Sequence, residues 1–251
     1  MKLNEVYIYG KHALEEALQY APKAINKIFF DPKAVDAALR KLILNSGIAV
    51  GQLSEGQAKA DMKSGASHQG VVAQILLSEL VLPYEKFIET LTVTPHTSLV
   101  LMSGVVDPHN VGAIIRTAAG FGARGVLMPE QNQAPVSGAV IKVSAGMAFR
   151  VPLVSVTKLQ QTISDLKKRG FKIYGLAGEG AKSIAEESFD APSVFILGNE
   201  GEGIPSHLRA LCDTVLSIPI NPQCESLNVA AAAAVTLFAW SAKHPEALKS
   251  R

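Results

Sequence analysis

The chain has little cysteine, little charge and no long apolar run. Its 251 residues include two cysteines, Cys212 and Cys224, too few for the bridge frameworks that staple secreted domains, so no disulfide is expected between them. The greasiest stretch, Val229–Trp240, is mostly alanine and falls well short of the roughly 18–20 residues that span a bilayer, so no membrane partner is expected. The N-terminal MKLNEVYIYG lacks the uninterrupted apolar core of a secretory signal, which points to a protein kept in a reducing, cytoplasmic compartment. Only 18% of residues are charged, and 24 basic side chains stand against 22 acidic ones. With a net charge of +2 the chain is no bulk polyanion binder, and any nucleic-acid site has to be a local patch. The six histidines, at 12, 68, 96, 109, 207 and 244, show no ligand spacing, so no metal is expected.

What is present is ample apolar content, 48%, enough to bury one or two cores. Residues 80–98 carry Pro83 and Pro95 and read as a linker, dividing the chain into 1–78, a linker over 79–98, and 99–251. In the first part, apolar spacing predicts a helix within Gly10–Tyr20, a strand at Ile25–Phe30, a helix at Val35–Leu44, another near Glu55–Met62 and a strand at Gly70–Leu76. The second part alternates more clearly. Strands are expected at Ser98–Ser103, Gly125–Met128, Lys172–Leu176, Val194–Leu197 and Val215–Ile220, with helices near Val111–Phe121, Lys158–Arg169, a short one from Pro205, and Leu227–Lys243. Strands joined by helical crossovers imply an α/β fold with a parallel sheet, whose functional loops lie beyond the C-terminal strand ends. The alanine run Ala230–Ala234 reads as a closely packed buried helix segment.

Three loops carry candidate chemistry. In Gly104–Arg116, Asp107-Pro108 turns the chain, Asn110 is placed to cap the next helix, and Gly112 leaves its first turn bare. Arg116 has no acid between Asp107 and Glu130 to pair with, so it is available to an external anion such as a phosphate; a plain solvated helix residue is the alternative. In Leu197–Pro205, Gly198, Gly201 and Gly203 free the backbone for close approach, but neither this loop nor Gly175–Gly180 matches a dinucleotide fingerprint or a P-loop. Glu200 and Glu202 would repel a phosphate, so a cationic or neutral ligand fits better. The third loop, Ser217–Ala230, runs through Pro219 and Pro222 into the last helix, with Glu225 or Ser226 starting it; Ser226 and Asn228 are either helix-start polar groups or ligand contacts.

Taken in order, Asn110-x-Gly112-x-x-x-Arg116, then Leu197-Gly198-Asn199-Glu200-Gly201-x-Gly203-Ile204, then Ile218-Pro219-Ile220 and Ser226-Leu227-Asn228-Val229 resemble the three motifs of the SpoU (TrmH-type) RNA 2′-O-ribose methyltransferases of the SPOUT class. Ser144-Ala145-Gly146 and Val151-Pro152 fall where that family has a similar segment, and Tyr9-Gly10-Lys11-His12-Ala13-Leu14 resembles the start of the L30e-like domain of its ribosomal RNA branch. Two departures are Asn221-Pro222 after Ile220, where many relatives have glycine after methionine, and Ala230 where many have serine.

The resemblance implies a C-terminal trefoil knot within the α/β fold, preceded by a small L30e-like α/β domain that binds RNA. It also implies transfer of a methyl group from S-adenosyl-L-methionine to a ribose 2′-hydroxyl, most plausibly of a guanosine in 23S ribosomal RNA, with transfer RNA less favoured. Arg116, Glu200, Ser226, Asn228 and Asn110 are then the catalytic set, and Gly198, Ile218, Leu227, Gly203 and Ile220 the cofactor-binding set. A homodimer through 99–251 is expected as well; Leu237, Phe238 and Trp240 cannot all face one side of a single helix. A silent RNA-binding relative and a nicotinamide dehydrogenase are the competing readings, the latter lacking its fingerprint.

Overall fold

The computed structural model describes residues 5–53, 68–178 and 182–249. Alternating burial along Glu5–Tyr9 makes β1, and Gly10, at φ +94°, turns the chain into α1 (Lys11–Tyr20). β2 (Ile25–Phe30) follows, then α2 (Ala37–Asn45), whose first turn is capped by Asp36 accepting from the Leu39 N–H at 2.9 Å. β3 (Ala49–Gln52), β4 (Val71–Leu76) and the single-turn α3 (Leu77–Leu80) come next. The four strands form one sheet in the order β1-β4-β2-β3, antiparallel except for β2 with β3. Its core face carries Ile8, Ile28 and Ile75 against Leu14, Leu39 and Ile43, all buried. β1 and β3 were not expected from the sequence, and the helix expected at Glu55–Met62 lies outside the described residues.

The chain continues through β5 (Val81–Pro83), α4 (Tyr84–Thr90), β6 (Ser98–Met102), α5 (Pro108–Gly120), β7 (Gly125–Pro129), α6 (Gly138–Val143) and β8 (Leu153–Val156). It then forms α7 (Leu159–Lys168), β9 (Lys172–Leu176), β10 (Lys182–Ser183), β11 (Ser193–Leu197), α8 (Ser206–Arg209), β12 (Thr214–Ser217) and α9 (Val229–Lys243). Eight strands make a second sheet in the order β10-β12-β9-β11-β6-β7-β8-β5. β10 to β12, β12 to β9, β9 to β11, β11 to β6, β6 to β7 and β7 to β8 all pair in parallel. β6 and β11 are buried along their whole length, as central parallel strands covered on both faces must be. From β6 the chain first builds outward through β7 and β8, then crosses to the other side of β6 for β9, β11 and β12. Strand order therefore reverses between β6 and β11, and the crevice at their C-terminal ends is the place such sheets offer a ligand.

Two boundaries differ from the sequence reading. The segment expected as a linker over 79–98 is built into the second sheet and its core: β5 lies beside β8, and Phe87 and Ile88 of α4 are buried. The Tyr84 hydroxyl donates to Asp165 at 2.7 Å, and a Cβ on Gly125 would meet the Phe87 ring at 2.7 Å. Of the two prolines that suggest a linker, Pro83 caps the start of α4, whose apolar residues at 84, 87 and 88 have helical spacing, and Pro95 lies in the turn that leads from α4 to β6. The second difference is that the chain divides into one unit of Met1–Val81 with Val136–Arg150 and another of Leu82–Pro135 with Val151–Arg251. Ser144–Gly146, grouped by resemblance with 99–251, thus falls in the first unit. There the Arg150 guanidinium grips the Glu16 carboxylate through two bonds of 2.6 and 2.7 Å and lies 4.2 Å over the Tyr20 ring.

Candidate functional site

Three loops of the second unit meet at the order-reversal point. The first leaves β6, whose next residue, Ser103, donates its N–H to the Leu197 carbonyl at 2.8 Å and so sets the two loops side by side. Asp107 caps α5, accepting from the His109 N–H at 2.8 Å, with Pro108 at the first helical position. Asn110 is consequently inside the first turn and does not cap the helix as expected. Its side chain, 9% exposed, is turned to the other two loops.

The second loop, after β11, is a tight hairpin. Asn199 and Gly203 exchange backbone hydrogen bonds of 2.9 and 3.0 Å. The Asn199 Oδ1 accepts from the N–H groups of Gly201 and Glu202, and its Nδ2 donates to the Gly104 carbonyl at 2.8 Å. Gly198 is glycine for a reason other than ligand approach: a Cβ there would sit 2.2 Å from the Gly203 carbonyl carbon. Gly203, at φ +70°, is the position whose backbone demands a residue without a Cβ.

The third loop begins where β12 stops at Ser217, earlier than the expected Ile220, because Pro219 and Pro222 have no N–H for a ladder. The last helix likewise starts at Val229, not at Glu225 or Ser226: its cap is Asn228, whose Oδ1 accepts from the Ala230 and Ala231 N–H groups at 2.9 and 3.3 Å. Of the alanine run, only Ala233 is fully buried; Ala231 is exposed and Ala232 faces the cleft.

These loops line an open cleft with a cavity volume of about 170 Å³. Its walls are mainly apolar, with Leu176, Leu197, Leu216, Ile218, Ile220 and Leu227. Gly198, Gly203, Glu200 and Ser226 line it too, so all five expected cofactor contacts and two of the expected catalytic residues share one cavity. Among the described residues Glu200 is the only ionisable side chain that lines it. Asn199, Leu176 and Leu216 were missed. An asparagine followed two residues later by glycine is an Asx-turn signal that would have found the first.

Asn110 binds the loops together. Its Nδ2 donates to Glu200 Oε1 at 2.9 Å and its Oδ1 accepts from Asn228 Nδ2 at 2.9 Å. Three of the five expected catalytic residues therefore form one hydrogen-bonded chain. Arg116 is not part of it and does not line the cleft. Six residues beyond Asn110 on α5, it projects from a different face, exposed to solvent and without a hydrogen bond or ion pair among the described residues. Among those residues no group of His, Cys, Asp and Glu is arranged to hold a metal, and no helix is long and apolar enough to cross a membrane.

Comparison with known proteins places this geometry. The sequence model of the SpoU rRNA Methylase family matches residues 97–238, and that of an RNA 2′-O ribose methyltransferase substrate-binding domain matches residues 7–80. The chain is 37% identical to the 23S rRNA (guanosine-2′-O-)-methyltransferase RlmB of Pseudomonas putida, over 92% of this chain and 94% of that one. It is 34% identical to the RlmB of Neisseria meningitidis, over 93% and 94%. Its fold superposes on the SpoU methyltransferase AviRb of Streptomyces viridochromogenes, solved in complex with AdoMet, with a TM-score of 0.83 at 21% identity, covering 98% of this chain and 92% of that one. The order-reversal cleft, its three loops and these matches together make the chain a member of the SpoU rRNA methylase family.

Proposed function

We propose that the protein transfers a methyl group from S-adenosyl-L-methionine to the ribose 2′-hydroxyl of a guanosine in 23S ribosomal RNA. The observation that carries this reading is the cleft itself, apolar on most sides and holding one carboxylate among the described residues. A nucleoside with a cationic sulfur and no phosphate suits it, whereas a nucleotide phosphate would meet Glu200. Ile218, Ile220, Leu227 and the bare backbone at Gly198 and Gly203 would hold the adenosine part, and Ser226 would donate or accept a hydrogen bond at the rim.

Bound there, S-adenosylmethionine supplies an electrophilic methyl on sulfur. With that methyl presented to a ribose oxygen, the protein's part would be to position the hydroxyl and to stabilise the charge it develops on losing its proton. Arg116 suits that second task. A guanidinium stays protonated, so it acts not as a free base but as a planar fork spanning the 2′-oxygen and an adjacent RNA phosphate. That no acid among the described residues pairs with it supports the assignment. Asn110 and Asn228 keep the loops in register.

The first unit, Met1–Val81 with Val136–Arg150, is the RNA-selecting part; its β-sheet segment corresponds to the matched substrate-binding region. The active form is a homodimer built on the second unit, in the cytoplasm, with the C-terminal segment threaded as a trefoil knot. Support for the dimer comes from α9, where Ala231, Val235, Phe238 and Ala242 form an exposed apolar stripe at helical spacing; Phe238 is 61% exposed. Leu237 and Trp240 of the same helix are buried on its other side. Light scattering should give a dimer, and Phe238→Glu a monomer; a wild-type monomer with full activity would remove the dimer from the proposal.

The function is tested by incubating the protein and labelled S-adenosylmethionine with ribosomal and transfer RNA from cells lacking the enzyme. Label on one ribose of 23S RNA is the expected result. Label on transfer RNA alone would reassign the substrate, and cofactor binding without transfer would reassign the protein as a silent RNA binder.

A further inference from the structure

The hydrogen bonds around Glu200 run in one direction only. Both lone-pair positions of the Asn228 Oδ1 are taken by the N–H groups of Ala230 and Ala231 at the start of α9, so its Nδ2 has to be the outward donor. It gives that bond to Asn110 Oδ1, which leaves Asn110 Nδ2 as the donor to Glu200 Oε1. The chain of amides thus runs from a helix N-terminus to one oxygen of Glu200. Amides bring no countercharge. Among the described residues the other oxygen, Oε2, has no hydrogen-bond partner, and no lysine, arginine or histidine lines the cleft with it.

We infer that Glu200, held in place by Asn110 and Asn228, makes the cleft select the cationic methyl donor over the uncharged thioether left after transfer. The inference rests on the cofactor reading above. S-adenosylmethionine and S-adenosylhomocysteine differ by one methyl and one positive charge at sulfur. A site with apolar walls and, among the described residues, one uncompensated carboxylate favours the first by charge. Once the methyl has gone to the ribose oxygen, the sulfur is neutral, the attraction is lost and the product leaves more readily. Glu200 is in this respect a specificity-determining residue, and Asn110 and Asn228 are positioning residues for it. Because Glu200 is exposed, solvent screens the effect, and it amounts to about fivefold in relative affinity.

The test is isothermal calorimetry on the intact protein with three ligands: S-adenosylmethionine, S-adenosylhomocysteine and sinefungin, which carries a protonated amine where the donor has its methylsulfonium. The wild type is expected to bind both cations about fivefold more tightly than the thioether. Glu200→Gln, which keeps the shape and the acceptor oxygen for Asn110, should bring the three affinities together. Asn110→Ser, which shortens the link to Glu200, should narrow the ratio without abolishing binding. If all three ligands bind but the ratio in Glu200→Gln equals that of the wild type, or if sinefungin follows the thioether, the inference is overturned. If none of the three binds the wild type, it is the cofactor reading that fails.

Discussion

Glu187 and Glu200 lie in the same unit and are treated in opposite ways. Glu187 is 1% exposed, yet its carboxylate accepts from Lys172 Nζ at 3.1 Å, Lys182 Nζ at 2.9 Å and the Tyr174 hydroxyl at 3.0 Å. Burial alone would raise its pKa; the two lysines and the tyrosine overcome that and hold it down at about 2. Every charge there is spent inside the protein. Glu200 touches only a neutral amide. The same contrast separates two arginines, since Arg150 is locked on Glu16 while Arg116 has no partner among the described residues. Closed charge clusters hold the fold, and open charges face the cleft or the solvent where substrate arrives.

The largest expected effect is on the closed carboxylate. Glu187→Ala strands a buried tyrosine hydroxyl and removes the shared partner of two half-exposed lysines, and should cost about 2–3 kcal/mol in urea unfolding. Its acid behaviour follows from the sign of its shift. The folded-state pKa lies below the model-peptide value of 4.5, so the stabilisation is complete above pH 4.5 and disappears as pH falls toward 2. Wild-type stability should drop across that window, and the variant should show a flatter acid limb. A variant that unfolds like wild type would erase the contrast.

Arg116→Ala comes next. Single-turnover methylation at saturating RNA should slow about 100-fold or more, while the melting temperature and cofactor affinity stay near wild type. Arg116→Lys should recover little, because an ammonium lacks the planar fork. A near-normal rate in Arg116→Ala would make Glu200 the next candidate for the proton transfer.

Arg150→Ala should do the reverse, leaving the buried Glu16 carboxylate uncompensated. A loss of about 1–3 kcal/mol of stability is expected, with the single-turnover rate of the folded fraction unchanged. Loss of rate without loss of stability would place Arg150 among the open charges.

The smallest effect belongs to the amide chain. Asn110→Ala removes the link between two exposed side chains, Glu200 and Asn228, so stability should change by about 1 kcal/mol or less. Calorimetry should nonetheless register a weakening of S-adenosylmethionine binding of about fivefold, because the loops lose their common tether. An unchanged affinity would reduce Asn110 to packing.

Helices and strands with regular apolar spacing were legible without the fold. α1, β2, α5, α7, β9, β11 and α9 lie within a few residues of their expected positions. The misses have different causes. β3 and β10 are edge strands of four and two residues, too short for a period to register. α4 is masked by Pro83 before it and Pro95 beyond it, and α6 lies in a segment that only the family resemblance marks. At the site, the sequence pointed to the loops and their polar residues but misjudged what several do. Asn110 has the residue type of a helix cap, but Asp107, three residues earlier, has the same competence and takes the position. Gly198 looked like a ligand approach because nothing local reveals that Gly203 folds back upon it.

Composition, periodicity and motif order by themselves determined the α/β class, the parallel sheet, the three loops and the residues that populate them. These properties depend on side chains a few positions apart, where backbone preference and apolar spacing act directly. Only the tertiary structure decided that residues 136–150 belong with the N-terminal unit, that Arg116 stands apart from the cleft, and that Asn110 joins partners 90 and 118 residues away. A hydrogen bond over such a separation exists because the sheet brings strand ends together. Its direction is set by which lone pairs a helix terminus has already occupied, and no local pattern encodes that.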